Sequence, residues 1–239
     1  MSPEVSVVVP VFDEAGAAVP LAREIAAAFA GYACEIIFVD DASRDATAAS
    51  LPAAAAEIPA LRLLRHSRNA GQSRAIRSGV MAARAPIIVM LDGDGQNDPA
   101  DAPGLFRALA DAAPQTALIG GERQRRQDSA AKLWASALAN RIRRAALDDG
   151  AADTGCGLKA FRRDAFLALP YFDHMHRYLP ALMLREGFQV SFRPVGHRPR
   201  TSGRSKYTNL GRLWAALSDL LGVIWLRSRA RDPGRVSEA

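Results

Sequence analysis

The segment Leu91-Asp-Gly-Asp-Gly-Gln-Asn-Asp-Pro99 follows directly on an apolar run. Its carboxylates at i and i+2, Asp92 and Asp94, are separated only by Gly93 and can converge on one hard cation. Gln96 adds a neutral oxygen. Mg²⁺ keeps few protein ligands and completes its octahedron with water and substrate phosphate, so this sparse set suits an ion carried on a diphosphate. A calcium EF-hand loop does not fit: counting from Asp92, position 6 is Asn97 instead of Gly and position 12 is Pro103 instead of Glu. Two further acidic clusters, Pro10-Val-Phe-Asp-Glu14 and Val39-Asp-Asp-Ala-Ser-Arg-Asp45, also end apolar runs. Carboxylates there can accept from base N–H and ribose hydroxyl groups, and Phe12 offers a ring an apolar surface. The plain alternative is helix capping by Asp13, Ser43 or Asp45. Asn69-Ala-Gly-Gln-Ser-Arg-Ala75 opens a helix whose N–H groups either meet phosphate or are simply capped. No Gly-x-Gly-x-x-Gly turn and no Walker lysine occurs, which disfavours a dinucleotide oxidoreductase or a P-loop enzyme.

These clusters need a frame that brings them together. β-Branched or apolar runs at 5–11, 35–39, 61–64 and 86–91 read as strands. Between them, 17–30 is Ala-rich with Leu21, Ile25 and Phe29 on one helical face, and helices are also expected to end at Glu57 and to cover 70–83. Gly79 allows the last of these to pack closely. This β-α-β-α-β-α-β order predicts an α/β fold, a Rossmann-like, mostly parallel sheet with helices on both faces. Ligands bind such sheets at the carboxyl ends of the strands, where all three acidic clusters fall.

The second half reads as a long helix over 128–147, a Gly-rich loop over 153–159, a helix over 173–186, a strand over 189–195 and a basic loop over 198–206. Pro194, Pro199 and Gly203 punctuate that loop. His174 and His176 read as surface residues, not metal ligands. A closing helix over 210–229 places Leu213, Trp214, Leu217, Leu220, Leu221, Ile224 and Trp225 on one face, flanked by Arg212, Arg227, Arg229 and Arg231. Ser218 and Asp219 interrupt it and it falls short of the ~20 apolar residues a span requires. It either packs on the core or lies in a membrane interface.

With 239 residues, 49% of them apolar, one domain is expected: residues 1–121 and 122–209 as its two halves, then the amphipathic helix 210–229. Cys34 and Cys156 alone provide neither a disulfide framework nor a zinc site, which suits a reducing cytoplasm. Residues 1–4 lead straight into a strand without a signal-peptide pattern. The net charge of +6 invites a nucleic-acid reading, but no RRM, KH, zinc-finger or helix-turn-helix signature accompanies it. The charge is also divided: residues 1–121 hold 9 Arg/Lys against 14 Asp/Glu, and residues 122–239 hold 22 against 11.

Pro-Val-Phe-Asp-Glu, Val-Asp-Asp-Ala-Ser, Asn-Ala-Gly and Asp-Gly-Asp-Gly-Gln, in this order and spacing, resemble glycosyltransferase family 2. Gly121-Glu-Arg123, the Lys132/Ser136 pair, Asp153-Thr-Gly-Cys-Gly-Leu-Lys159 and Arg200-Thr-Ser-Gly-Arg-Ser-Lys-Tyr207 resemble its dolichol-phosphate mannose synthase branch, which includes bacterial polyprenyl-phosphate glycosyltransferases. The resemblance covers about residues 4–226 and implies a GT-A type fold. It implies that Pro10, Phe12, Glu14, Val39 and Asp41, with Asp92, Gly93 and Asp94, hold the nucleotide-sugar. Asp92, Asp94 and Gln96 would bind Mg²⁺ or Mn²⁺. Arg123, Lys132, Ser136, Arg177, Arg200 and Lys206 would meet phosphates of donor and acceptor, and Asp153 and Arg200 would join Asp92 and Asp94 in catalysis. Phe12 stands where tyrosine is common, Asp13 where asparagine is common and Cys156 where serine is common.

The implied reaction moves a single sugar, with mannose favoured, from a nucleotide-sugar (GDP-mannose or a UDP-sugar) to a polyprenyl phosphate at the inner face of the membrane. An acceptor phosphate is already an anion at pH 7 and attacks without a general base, so inversion is expected. Members of the branch commonly carry transmembrane helices, so a separate membrane-anchoring protein is a further expectation. The alternative is a family-2 transferase acting on a sugar hydroxyl or a protein, but the Glu-Asp and Gln-x-x-Arg-Trp motifs of polymerising relatives are missing.

Overall fold

A computed structural model describes residues 2–124, 143, 146–151, 153, 155–199 and 209–231 of the chain, with side chains from residue 216 onward in the last segment. The first half alternates as expected: β1 (Val5–Val11), α1 (Ala18–Ala28), β2 (Cys34–Asp40), α2 (Thr47–Glu57), β3 (Leu61–Arg65), α3 (Gln72–Ala82) and β4 (Ile87–Met90). There follow α4 (Ala102–Ala110), β5 (Thr116–Arg123), β6 (Lys159–Arg162), α5 (Arg163–Ala168), α6 (Leu179–Arg185), β7 (Gln189–Val195) and α7 (Asn209–Ser228).

The strands form one seven-stranded sheet in the order β3-β2-β1-β4-β6-β5-β7. β1, β2, β3 and β4 are mutually parallel, β5 and β7 are parallel, and β6 alone runs against its neighbours β4 and β5. Successive side chains on a strand face opposite sides, and both sides are covered here. Val5, Val7, Val9 and Val11 of β1 join Ile36 and Phe38 of β2 in a core beneath α1, α2 and α4. Val8, Ile37 and Val39 point the other way, into a second core with α3, α5 and α6. That two-sided burial is why these strands read as unbroken apolar runs. Gly79 is the closest point of approach on this face: a Cβ there would lie 2.5 Å from Val8 Cγ1 and 3.1 Å from Val39 Cγ2, so glycine lets α3 rest directly on β1 and β2.

Several expectations change. The helix foreseen over 173–186 is a short 3₁₀ turn (Met175–Arg177) followed by α6, because His174 takes left-handed backbone (φ 64°) and interrupts the run. Both histidines there are half-buried and have polar partners instead of standing free at the surface. His174 Nδ1 lies 2.8 Å from Asp219 Oδ2, and His176 Nδ1 lies 2.7 Å from Ser73 Oγ. Pro194 belongs to β7, at the sheet edge, where its missing N–H costs no ladder bond. The Gly-rich loop passes into β6 at Lys159. The helix foreseen over 128–147 lies almost wholly outside the described residues, as does the basic loop from residue 200 on.

The closing helix packs one side on the core and leaves apolar residues exposed on another. Val223 is buried, and Leu220 and Leu226 pack against the second core. Leu217, Leu221, Ile224 and Trp225 are 47%, 59%, 37% and 58% exposed. Among the described residues no helix is long and apolar enough to cross a membrane.

Candidate active site at the carboxyl ends of the strands

The loops after β1 and β2 are laced together by their own polar groups. Asp13 takes left-handed backbone (φ 53°), which aspartate tolerates better than most residues, and its N–H donates to Ser43 Oγ at 3.0 Å. Arg44 N–H returns a bond to Asp13 Oδ1 at 2.7 Å, and Glu14 N–H donates to Thr47 Oγ1 at 2.9 Å. Ser43 therefore braces the first loop and does not cap α2. Asp45, one residue ahead of the N-cap Ala46, accepts from Thr47 N at 2.9 Å.

Asp41 is buried and heavily engaged. Its carboxylate accepts from Ala70 N at 2.9 Å and Gly71 N at 2.8 Å, and Oδ1 lies 2.6 Å from His66 Nδ1. Asn69 Nδ2 donates to the Asp41 carbonyl at 3.1 Å, and His66 Nε2 lies 2.9 Å from Ser78 Oγ. The N–H groups of Ala70 and Gly71, just ahead of α3, are thus taken by a carboxylate. Val39 also sits differently from its expected role. Its side chain is wholly buried against α3, so only its backbone faces the strand ends.

After β4 the chain turns through Asp92, Gly93 and Asp94. Gly93 is required by proximity: a Cβ there would lie 2.6 Å from both the Pro10 carbonyl oxygen and Val11 Cγ1. The glycine lets the acidic loop lie on the end of β1. Gly95 supplies the left-handed turn (φ 74°), and Gln96 N–H donates to Asp94 Oδ1 at 3.1 Å. Asp92 N–H donates to Asn97 Oδ1 at 3.0 Å, while Gln72 Nε2 donates to Asp92 Oδ1 at 2.8 Å. The Gln96 amide nitrogen lies 3.5 Å from His197 Nε2, a residue the sequence did not single out.

Across the sheet, the Gly-rich loop closes over this corner. Arg123, the last residue of β5, makes a two-pronged bond to Asp153, with Nε to Oδ2 at 2.5 Å and Nη2 to Oδ1 at 2.8 Å. A Cβ on Gly155 would meet Arg123 Nη2 at 2.7 Å, and one on Gly157 would meet Asp92 Oδ2 at 2.1 Å. The loop backbone therefore covers both groups, at positions where side chains would not fit. Lys159 is buried, its ammonium bonded to the Cys156 carbonyl.

The charges respond to this enclosure. Burial and then the neighbouring Asp94 carboxylate raise the Asp92 pKa, against the opposing pull of Lys159, Gln72 and Arg123. Burial likewise lowers Lys159, partly offset by Cys156, Asp92 and Asp153. Asp153 keeps Arg123 firmly protonated, and burial keeps the Cys156 thiol protonated. Two carboxylates that repel each other in a covered corner suit a divalent cation, whose charge relieves that repulsion. Among the described residues no three His, Cys, Asp or Glu side chains are grouped so as to hold a metal ion by themselves.

Of the residues expected in the site, the structure gathers Pro10, Phe12, Glu14, Asp41, Asp92, Gly93, Asp94, Gln96, Arg123 and Asp153 at the strand ends. Arg177 lies on the 3₁₀ turn beside His176, which bonds to the first turn of α3. Lys132, Ser136, Arg200 and Lys206 lie outside the described residues. Gln72, Lys159, Gly157 and His197 complete the surroundings and were not picked out as site residues. A lysine ending a Gly-rich loop and leading into Ala-Phe is the only one of these with a local signal.

The chain thus presents an α/β sheet with a paired-aspartate turn at its switch from parallel to antiparallel strands, and comparison with known proteins places this fold. The solved structure of glucosyl-3-phosphoglycerate synthase from Mycobacterium tuberculosis, in complex with Mn²⁺, uridine-diphosphate and glucosyl-3-phosphoglycerate, superposes with a TM-score of 0.72. It is 18% identical and the match covers 97% of this chain and 82% of that one, so the likeness is one of fold, GT-A type. Residues 6–169 match the Glycosyl transferase family 2 profile. Dodecaprenyl-phosphate galacturonate synthase of Rhizobium johnstonii is 34% identical over 241 residues, covering 97% of this chain and 69% of that protein. Undecaprenyl-phosphate 4-deoxy-4-formamido-L-arabinose transferase of Pseudomonas aeruginosa is 35% identical over 220 residues, covering 91% of this chain and 64% of that protein. The chain spans about two thirds of the length of these curated relatives. It belongs to glycosyl transferase family 2.

Proposed function

We propose that this chain transfers one sugar from a nucleotide-sugar to a polyprenyl phosphate, with inversion at the anomeric carbon. The observation that carries the reading is the Asp92/Asp94 turn, held at the centre of the sheet between acidic loops on one side and Arg123 and Lys159 on the other. Asp92 and Asp94, with Gln96, would hold Mg²⁺ or Mn²⁺. The cation, when bound, supplies positive charge beside the departing diphosphate. The loops carrying Pro10, Phe12, Glu14 and Asp41 would seat the nucleoside, with Val39 contributing backbone alone.

The acceptor phosphate oxygen forms the new bond to the anomeric carbon as the bond to the diphosphate oxygen breaks, so an α-linked donor gives a β-linked lipid. No proton has to be removed, because the attacking phosphate is already ionised. What it needs is cationic positioning, which arginine forks supply well. Arg123 and Arg177 would provide it from the described residues, and Lys132, Ser136, Arg200 and Lys206 are proposed with them. Asp153 fixes the Arg123 guanidinium and thereby orients the group the acceptor meets. This division assigns donor and cation to residues 1–121 and acceptor to residues 122–209.

Binding at the inner membrane face is supported by α7. Its exposed Leu217, Leu221, Ile224 and Trp225 form an apolar surface beside Arg227 and Arg229, and a basic residue near an anionic surface adds about 1 kcal/mol. A separate anchoring protein would act at this same face. Mannose is the sugar the sequence resemblance favours, whereas the two relatives carry the names of galacturonate and formamido-arabinose transfer. The test incubates purified protein and Mg²⁺ with polyprenyl phosphate and a donor panel: GDP-mannose, UDP-glucose, UDP-galacturonate and a UDP-formamido-arabinose. Lipid-linked sugar from one donor, abolished in Asp92→Asn, is expected. No lipid product with any donor, or full activity in the variant, would overturn the reading.

A further inference from the structure

We propose that Gln72 is a positioning residue for the Asp92 carboxylate, and that residues 69–72 join the nucleoside end of the site to its cation end. The inference rests on the cation reading above. Gln72 is the first residue of α3, and its side-chain amide donates to Asp92 Oδ1 at 2.8 Å. That bond fixes one carboxylate oxygen. Gly157 leaves no room for rearrangement on the loop side, since even a Cβ there would lie within 2.6 Å of all three carboxylate atoms. The backbone N–H of Asp92 is anchored separately, to Asn97 Oδ1. The orientation of this carboxylate is therefore set by an amide from α3, a backbone surface from the Gly-rich loop and an asparagine from its own turn.

What places Gln72 is Asp41. The Asp41 carboxylate accepts from Ala70 N and Gly71 N, and its carbonyl accepts from Asn69 Nδ2. Three consecutive residues are thus pinned to the end of β2, and the fourth reaches the turn after β4. Gly71 is suited to the link because it takes a positive φ of 87°. A Cβ on it would also press Asp173 Oδ1 at 3.3 Å. Gln72 itself is exposed apart from this contact, so the fold has little use for its amide beyond Asp92. Groups that hold a metal-binding side chain in place without touching the metal typically contribute 10- to 100-fold in metal affinity.

The experiment titrates Mn²⁺ onto the wild-type protein, Gln72→Met and Gln72→Asn, with free Mn²⁺ read from its electron paramagnetic resonance signal. Methionine keeps the length without the donor, and asparagine keeps an amide that is one carbon too short. Both variants are expected to bind Mn²⁺ about 10-fold more weakly or worse, with melting temperatures unchanged. Equal Mn²⁺ affinity in wild type and both variants would overturn the positioning role and leave the cation site standing. No Mn²⁺ binding by the wild type would overturn the cation reading, and the role of Gln72 with it. A loss of affinity accompanied by an equal loss of thermal stability would make Gln72 a structural residue and overturn the proposal.

Discussion

Gly157→Ala is the sharpest test of how Asp92 is held. Alanine at 157 would place its Cβ 2.1 Å from Oδ2, 2.3 Å from Cγ and 2.6 Å from Oδ1 of Asp92, where contacts under 3.0 Å are essentially never seen. Rotation of the carboxylate about its own axis cannot relieve the clash, because Cγ lies on that axis and is itself too close. The side chain must swing away or the turn must shift, and the bond from Asp92 N–H to Asn97 resists the latter. A withdrawal of about 1 Å is needed, and misplacement on that scale costs on the order of 100-fold in rate. That is about 2.7 kcal/mol of transition-state stabilisation. Gly157 does not take a positive φ, so alanine brings no backbone strain of its own. The assay is steady-state formation of lipid-linked sugar with the donor identified by the panel, run beside Gly104→Ala. Gly104 lies in α4 with nothing within 4 Å of its missing Cβ, and alanine there should leave turnover intact and stabilise the fold by about 0.4–1 kcal/mol. Turnover in Gly157→Ala within about threefold of wild type would refute the reasoning, since no carboxylate displacement of the needed size could then matter.

Asp92→Asn should reduce turnover by about 10³-fold or more, because a cation at a diphosphate contributes several kcal/mol. The same change should raise the melting temperature at pH 7 without divalent ions: burial and Asp94 raise the pKa of Asp92, so its charged form opposes folding at neutral pH. Glu35 behaves in the opposite sense. Burial pushes its carboxyl up, but bonds from Ser6 Oγ, Arg84 N and Arg62 outweigh this and hold it below its ordinary value. Its contribution to stability is complete above the unfolded value of about 4.3 and is lost as pH falls through the lower native one. Glu35→Gln should therefore lower the melting temperature at pH 7 and flatten its fall on acidification, as read by circular dichroism. Gly79→Ala should destabilise by about 1–3 kcal/mol through overpacking against Val8 and Val39, measured by urea denaturation.

β1, β2 and β4 were legible because they are buried on both faces and write apolar runs between acidic or Gly-containing turns. β7 was equally clear, with its edge position accommodating Pro194. The paired aspartates were legible from local spacing alone. Missed elements lack that local contrast. β6 is four residues, Lys-Ala-Phe-Arg, whose two cations disguise a strand in the middle of the sheet. Val39 was placed at the nucleoside by motif, although strand alternation sends its side chain into the core with Val8 and Ile37. Polar partners were the least legible. Gln72 meets Asp92 from 20 residues away, Asp153 meets Arg123 from 30, and Ala70 meets Asp41 from 29. Nothing in a linear pattern pairs such groups; the crossing of α3 over β1 and β2 brings the Gln72 and Ala70 pairs together, and the β5–β6 pairing brings Asp153 to Arg123.

The division of charge along the chain takes on a different meaning once the sheet order is known. β4, from the acidic half, lies beside β6 from the basic half, and β6 lies beside β5. The boundary between the halves therefore runs through the site itself. Asp92 ends one side of that boundary, and Lys159 and Arg123 end the other. Lys159 and Arg123 each pull the Asp92 pKa down against burial and Asp94, so the basic half already supplies part of the compensation that the cation would complete. Arg123 is in turn held by Asp153, a carboxylate from its own half. A donor diphosphate entering from the acidic loops and an acceptor phosphate entering from the basic side would thus meet at a seam of alternating charge. On that proposal the two anions would approach each other with Arg123 and the cation as counter-charges, and β6, the one strand that runs against its neighbours, sets Asp92 and Arg123 on adjacent sides of one corner.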